Sequence, residues 1–84
     1  MTMLNHLKSG DIARIINFDD DCEIKNKFIS NGILEGDIIR IISCFGLITF
    51  NVNSKIFSMS KVLAKNVRVI KLIHQYHTFF AEKY

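Results

Sequence analysis

The sequence contains no tryptophan and no proline, and its only two tyrosines, Tyr76 and Tyr84, lie close to the C-terminal end. A groove that binds polyproline peptides is lined by aromatic side chains. The chain lacks the exposed aromatic residues from which such a groove is built. Recognition of proline-rich ligands is therefore not expected, whatever the fold.

Long hydrophobic runs are also missing, although 49% of the 84 residues are hydrophobic. The apolar residues come in short runs that polar or charged residues interrupt, whereas a membrane-spanning helix needs about 20 predominantly apolar residues. Residues 1–6 show no basic start, apolar segment or small-residue cleavage site of a signal peptide. We therefore expect a small cytoplasmic protein with no direct membrane insertion.

Cysteine is scarce, and the two thiols, Cys22 and Cys44, are far apart with no CxxC pairing. In a reducing compartment such residues usually serve as small apolar side chains. The other possible metal ligands are His6, His74 and His77. His74 and His77 would share one face of a helix, but two histidines without a third nearby ligand do not define a metal site. We therefore expect no metal site and no cofactor.

Positive charge exceeds negative charge only slightly, with 11 Lys and Arg against 8 Asp and Glu, which gives a net charge of +3. The basic residues are scattered along the chain, and the aromatic residues occupy pattern positions that are typical of a core. A nucleic-acid surface needs clustered cations and exposed aromatic side chains on which bases stack. Nucleic acid is therefore not an expected partner.

No pattern typical of catalysis is present: there is no Gly-x-Ser-x-Gly elbow, no supported Cys/His arrangement and no Gly-rich phosphate loop. An arginine supplied to a partner's nucleotide would have to be Arg14, Arg40 or Arg68. All three lie at outward positions of predicted strands, where a solvated structural role is more common. We predict that the protein is not an enzyme and has no catalytic residues.

Three consecutive carboxylates, Asp19, Asp20 and Asp21, precede a predicted helix. They could chelate a hard cation only if all three side chains faced one ion, which successive residues cannot do. A carboxylate at the start of a helix caps backbone N–H groups and complements the positive end of the helix. Helix capping is therefore the preferred interpretation of this triplet.

What the sequence does have is a stretch, residues 28–42, that couples a short amphipathic helix to a strand. Gly32 predicts a left-handed helix end, and Gly36 followed by Asp37 predicts a turn. The strand predicted over residues 37–44 carries isoleucine on both faces. So much isoleucine on both faces implies either that both sides of this strand are covered or that the strand crosses the barrel from its interior to the helix.

Four further strands are predicted from β-branched runs bounded by turn residues. They span residues 12–18, 47–53, 55–59 and 67–72. A helix follows the first strand, and a helical turn over residues 61–65, with Val62 and Leu63 inward, precedes the last. The predicted fold is mainly β: a small, partly open, SH3-like antiparallel barrel of five strands. No internal repeat or low-complexity segment is predicted.

Residues 1–73 are assigned to this SH3-like domain, and residues 74–84 form a C-terminal aromatic tail that the barrel does not require. Tyr76, Phe79 and Phe80 in the tail have a spacing that allows an apolar helical face. The tail would either cover the barrel or pair with another chain. A homo-oligomer held together through the tail is therefore one expectation.

Three segments resemble, in order and spacing, the ferrous iron transport protein A (FeoA) family: residues 7–15, 28–39 and 57–69. The resemblance extends over residues 4–72. The chain departs from the family pattern at Glu35, where Pro usually precedes the turn glycine, and the tail lies outside the pattern. The resemblance implies a small, cytoplasmic, SH3-like protein. It also implies a partner, the membrane ferrous iron transporter (FeoB), whose G domain faces the cytoplasm.

The same barrel also occurs as the C-terminal domain of metal-dependent transcriptional repressors. Fold alone does not separate the two families. The alternative function is therefore that of a stand-alone SH3-like protein-interaction domain or metal-responsive regulatory domain.

The candidate partner-binding residues lie on two predicted loops, because connections exposed on the surface often carry binding. One loop follows the helix and the other is the hairpin near residue 53. The predicted contact residues are Gly32, Ile33, Leu34, Glu35, Gly36, Asn51, Asn53 and Lys55.

Overall fold

The computed structural model describes residues 1–19 and 23–72. The elements in chain order are β1 (Thr2–Met3), a 3₁₀ turn (Leu4–His6), β2 (Ile12–Phe18), α1 (Glu23–Ser30), β3 (Ile38–Ser43), β4 (Leu47–Val52), β5 (Lys55–Ser60), α2 (Lys61–Ala64) and β6 (Val67–Lys71). The predicted tail helix and tail-mediated homo-oligomer lie outside the described residues and stay predictions. No helix in the described part of the chain is long and apolar enough to cross a membrane.

The described strands form one open antiparallel sheet in the order β1-β6-β2-β3-β4-β5. The mainly β prediction is confirmed, but the five-stranded barrel is wrong. Strand β1 adds a sixth strand by pairing Thr2 with Val69 and Met3 with Arg68. A strand of two residues leaves no periodicity in the sequence, so the pattern could not reveal it.

The core lies between the inner face of the sheet and helix α1. Phe28 of α1 contacts Phe18 and Phe50, with ring centroids 5.2 Å and 6.0 Å apart. Such aromatic contacts fix the helix over the sheet. The other buried core residues are Leu4, Leu7, Ala13, Ile15, Ile24, Ile33, Ile39, Ile41, Ile48, Val52, Met59, Ala64, Val67 and Val69.

The prediction that both faces of β3 are covered is wrong. Ile39 and Ile41 are buried, whereas Ile38 and Ile42 keep 48% and 43% of their surface exposed. Helix α1 packs through Ile24 and Phe28 on the inner face only. The outer isoleucines of β3 consequently stay at the surface of the domain.

Helix α2 begins at Lys61, as predicted, and Ser60 caps it, because the Ser60 hydroxyl accepts a hydrogen bond of 3.1 Å from the Leu63 N–H. The predicted inward residues are wrong: Val62 is 69% exposed and Leu63 38% exposed, while Ala64 is fully buried. A helix of a single turn directs only a narrow face toward the core. The small Ala64 side chain occupies that face, where α2 lies against the Leu4–His6 turn.

The two central strands are a short internal repeat, so the prediction of no repeat is wrong. Residues 10–16 read Gly-Asp-Ile-Ala-Arg-Ile-Ile and residues 36–42 read Gly-Asp-Ile-Ile-Arg-Ile-Ile. The copies differ only at Ala13 and Ile39. A repeat this short is far below the lengths that identify solenoids or propellers, and only the sheet gives it a structural meaning.

In the sheet, the two copies pair with each other in antiparallel register. Ile12 lies opposite Arg40 and Arg14 lies opposite Ile38, on either side of the central pair formed by residues 13 and 39. Each strand also has a register shift at the last isoleucine of the repeat. Strands β2 and β3 are therefore related by a local twofold axis through their central pair.

Candidate functional site

Helix α1 ends at a left-handed glycine, as the sequence predicts, with a φ of +79° at Gly32. The Gly32 N–H donates to the Ile29 carbonyl and the Ile33 N–H donates to the Phe28 carbonyl, both at 2.9 Å. These are the two hydrogen bonds of a Schellman motif, and the buried Ile33 and Phe28 supply its hydrophobic pair. The motif sends Ile33 into the core and the next residue outward.

Residues 34–37 form a tight turn that Asp37 closes twice. The Asp37 N–H donates to the Leu34 carbonyl at 3.1 Å, and the Leu34 N–H donates to Asp37 Oδ2 at 2.9 Å. Gly36, with a φ of +95°, supplies the left-handed residue that a type II turn needs at its third position. The Leu34 side chain is left 54% exposed at the start of this turn.

The hairpin between β4 and β5 turns on Asn53 and Ser54, whose φ angles are +53° and +64°. Val52 pairs with Lys55, so the loop has two residues. Two left-handed residues in such a loop define a type I′ turn, whose twist matches that of the flanking strands. The loop contains no glycine, but asparagine adopts this conformation at low cost.

The Asn53 side chain joins the hairpin to the turn. Its Nδ2 donates to Asp37 Oδ2 at 3.2 Å and to the Gly32 carbonyl at 3.3 Å. The two loops that the sequence predicts separately therefore form one continuous surface. We call it the turn–hairpin surface, and it consists of Leu34, Glu35, Gly36, Asn53 and Lys55, all exposed.

Three predicted site residues do not belong to this surface as side chains. Ile33 is only 1% exposed and is a core residue. Gly32 takes part through its backbone, as the end of α1 and as an acceptor for Asn53. Asn51 is half-buried within β4, opposite Arg40 and Ile56, and belongs to the strand and not to the two-residue hairpin loop.

Sequence reasoning missed Asp37 as a residue that organises the site. Its carboxylate holds both the Leu34 N–H and the Asn53 amide. The sequence did carry a pointer, because the same Gly-Asp step occurs as Gly10-Asp11 before the other copy of the repeat. There the Lys8 N–H donates to Asp11 Oδ2 at 2.8 Å.

The possible metal ligands that the structure describes do not converge. Within residues 1–19 and 23–72, no group of three or more His, Cys, Asp or Glu side chains is placed to hold an ion. Cys44 is half-buried, with its Sγ 3.7 Å from the Leu7 carbonyl. Cys22, His74 and His77 lie outside the described residues, so the prediction of no metal site stays a prediction.

The aspartate triplet is described only at Asp19, whose carboxylate contacts Arg68 Nη1 at 2.7 Å. Arg68 also donates to Asn17 Oδ1 at 3.2 Å. Asp19 thus ties the end of β2 to β6. The predicted capping by Asp20 and Asp21 lies outside the described residues.

An antiparallel sheet with a helix between β2 and β3 and a single helical turn before the last strand defines a small SH3-like β domain. The family model described as the FeoA domain matches residues 2–71. The chain therefore belongs to the FeoA family, as its sequence resemblance implied.

Solved structures resemble the domain over most of its length. A crystal structure of an iron uptake regulatory protein (FeoA) has a TM-score of 0.76 and 28% identity, covering 84% of this chain and 96% of that one. A FeoA-like protein from Clostridium acetobutylicum has a TM-score of 0.78 and 21% identity, covering 86% and 87%. None of the curated proteins compared with the chain matches it.

A manganese-dependent transcriptional repressor is similar at a TM-score of 0.78 and 20% identity. The match covers 84% of this chain but only 41% of the repressor. At this identity the likeness shows a shared fold, in which the whole domain corresponds to one part of a longer protein.

Proposed function

We propose that this protein is a small cytoplasmic accessory protein of bacterial ferrous iron uptake, which binds and regulates the membrane ferrous iron transporter (FeoB). The observation that carries the proposal is membership of the FeoA family over residues 2–71. The 28% identity to a protein solved as an iron uptake regulatory protein supports it. The protein acts by binding and performs no catalysis of its own.

The turn–hairpin surface is the proposed contact with the transporter. Leu34 offers an exposed apolar side chain beside the charged residues Glu35 and Lys55. Hydrogen bonds from the Leu34 N–H and the Asn53 amide to the Asp37 carboxylate hold this turn in place before any partner arrives. A preorganised loop loses little conformational freedom on binding, which favours affinity.

The proposal is tested by biolayer interferometry of the full chain against the transporter's cytoplasmic G domain, with and without guanine nucleotide. We expect binding that Leu34→Asp weakens roughly tenfold or more, because a charge replaces an apolar contact residue. Val62→Asp is the matched control, since Val62 is 69% exposed on α2. Both variants should melt within about 3 °C of the wild type by circular dichroism, as exposed positions contribute little to stability.

If the chain did not bind the G domain with guanine nucleotide and did not bind it without nucleotide, the proposed function would be contradicted. Equal losses for Leu34→Asp and Val62→Asp would instead contradict the turn–hairpin surface as the contact. A lowered melting temperature for Leu34→Asp alone would assign Leu34 to folding.

The second candidate function is that of a metal-responsive regulatory domain, favoured by the TM-score of 0.78 to a manganese-dependent repressor. A ligand that binds only the folded state raises the melting temperature. Differential scanning fluorimetry with ferrous or manganous ion separates the two candidates. A rise in melting temperature at micromolar metal favours the regulatory domain, and an unchanged value favours the transporter accessory protein.

A further inference from the structure

The outer face of the sheet, opposite the core, combines isoleucine with arginine. Across β6, β2 and β3, Arg14 lies between Ile70 and Ile38, because it is paired with both in the sheet register. In the next row, Ile12 lies opposite Arg40. Ile70 and Ile38 are 44% and 48% exposed, and both arginines are exposed. We call these five residues the outer face.

The outer face carries positive charge that nothing on the same strands balances. The outward positions of β2, β3 and β6 hold no Asp or Glu. In the described part of the chain, Arg68 is paired with Asp19 at 2.7 Å and Lys71 with Asp11 at 3.3 Å, while Arg14 and Arg40 form no ion pair. Two cations set among exposed apolar side chains call for a partner that brings carboxylates and apolar groups together.

The local twofold axis fixes the spacing of these cations. Arg14 and Arg40 are diagonal neighbours on adjacent strands, which places their Cα atoms about 7–8 Å apart. Carboxylates one helical turn apart, or two residues apart along a strand, have a similar spacing. Each guanidinium can bind one carboxylate in a bidentate pair.

A second copy of this chain is a poor occupant of the same face. A symmetric dimer brings the same patch of both subunits together. The arginines of one copy would then face the arginines of the other, with no carboxylate on the face to separate them. The charge of the face therefore favours a different protein.

We propose that the outer face binds an acidic, apolar segment of a partner protein. Two carboxylates of the segment pair with Arg14 and Arg40, and its apolar side chains cover Ile38 and Ile70. This contact uses none of the residues of the turn–hairpin surface. The identification of this partner as the transporter rests on the proposed function. The charge and spacing of the outer face are independent of it.

The test is an NMR titration of the ¹⁵N-labelled full chain with two probes. One is the transporter's cytoplasmic G domain, and the other is a synthetic helical peptide with two glutamates four residues apart between leucines. We expect both probes to shift amide signals of residues 12–16, 38–42 and 70. The same peptide with lysine in place of both glutamates should shift none of them.

Variants then measure what the arginines contribute. The double change Arg14→Glu with Arg40→Glu should weaken binding of both probes roughly 10- to 100-fold. The double change Arg14→Gln with Arg40→Gln should cause a smaller loss of affinity. It replaces the charge reversal in the test if the reversal impairs folding. The control, Lys25→Glu with Lys61→Glu, makes the same change in net charge at exposed helix positions and should leave both affinities within about twofold.

The outcomes separate this inference from the proposed function. If the G domain shifts only signals of the turn–hairpin surface and the acidic peptide shifts none, the inferred binding at the outer face is overturned and the proposed function stands. Shifts by the acidic peptide alone support the outer face and count against the transporter. No response to either probe overturns both.

Two further results would also overturn the inference. One is binding to vesicles containing anionic phosphatidylglycerol that the double reversal abolishes while the acidic peptide has no effect. The other is a dimer in analytical ultracentrifugation that the double reversal dissociates.

Discussion

The turns that precede β2 and β3 have the same backbone and different surfaces. In the first, Asp11 Oδ2 accepts from the Lys8 N–H at 2.8 Å, and in the second, Asp37 Oδ2 accepts from the Leu34 N–H at 2.9 Å. The glycine before each aspartate has a φ of +90° or +95°. The backbone of one turn thus repeats that of the other.

Each turn is also anchored on the opposite strand of the pair. The Gly10 N–H donates to the Ile41 carbonyl at 2.8 Å, and the Gly36 N–H donates to the Ile15 carbonyl at 2.7 Å. The return bonds, from the N–H groups of these isoleucines to the carbonyls of the two aspartates, are both 2.9 Å. The twofold relation of β2 and β3 therefore extends into their turns.

The difference lies in what each turn presents and what holds its aspartate. The first turn starts with the charged Lys8, and Asp11 forms an ion pair with Lys71. The second turn starts with the exposed Leu34, and Asp37 binds the neutral amide of Asn53. The same backbone turn thus presents a charged lysine at the start of one copy and an exposed leucine at the start of the other.

Core substitutions in the two copies are expected to have the largest effect. Ile15 and Ile41 are 1% and 2% exposed, so Ile15→Ala and Ile41→Ala should each lower the free energy of unfolding by about 2–5 kcal/mol. Urea denaturation followed by circular dichroism measures both. Ile38→Ala, at an outward position, is the control and should cost about 0.5 kcal/mol or less. A cost for either core variant as small as the control's would contradict equal packing of the copies.

The two turns should differ in how the stability cost of removing their aspartate depends on salt. Asp37→Ala removes the acceptor of two hydrogen bonds and should cost about 1–3 kcal/mol at any ionic strength. Asp11→Ala loses one such bond and an ion pair to Lys71, whose side chain is 53% exposed, and that pair contributes about 1 kcal/mol at most. Because salt screens an exposed pair, the cost of Asp11→Ala should fall between 0.05 and 1 M NaCl. Parallel salt curves for both variants would argue against this assignment.

The strands could be predicted from the sequence because their information is local. In β4 the alternation of apolar and polar residues places Ile48, Phe50 and Val52 on one face, and all three are buried. The exposure of Ile38 and Ile42 in β3 could not be predicted, because isoleucine on both sides of a strand does not say which side a helix covers. The pairing of β1 with β6 depends on residues far apart in sequence, which local periodicity does not record.

The candidate site was predictable as two loops and not as one surface. Gly32 and Gly36 marked the helix end and the turn, since left-handed residues favour glycine. The bond between Asn53 and Asp37 joins residues 16 positions apart, and neither side chain has a local pattern that demands it. Asn53 entered the prediction only as part of an exposed hairpin.

The smallest expected effect comes from proline at the second position of each turn. That position of a type II turn favours proline, and neither the Ser9 nor the Glu35 N–H donates a backbone hydrogen bond in the described part of the chain. Ser9→Pro and Glu35→Pro should therefore each raise the free energy of unfolding by about 0.4–1 kcal/mol, chiefly by restricting the unfolded chain. Denaturation curves of both variants measure the gain. A loss of stability at Glu35 with a gain at Ser9 would show that the two turns differ in backbone as well as in surface.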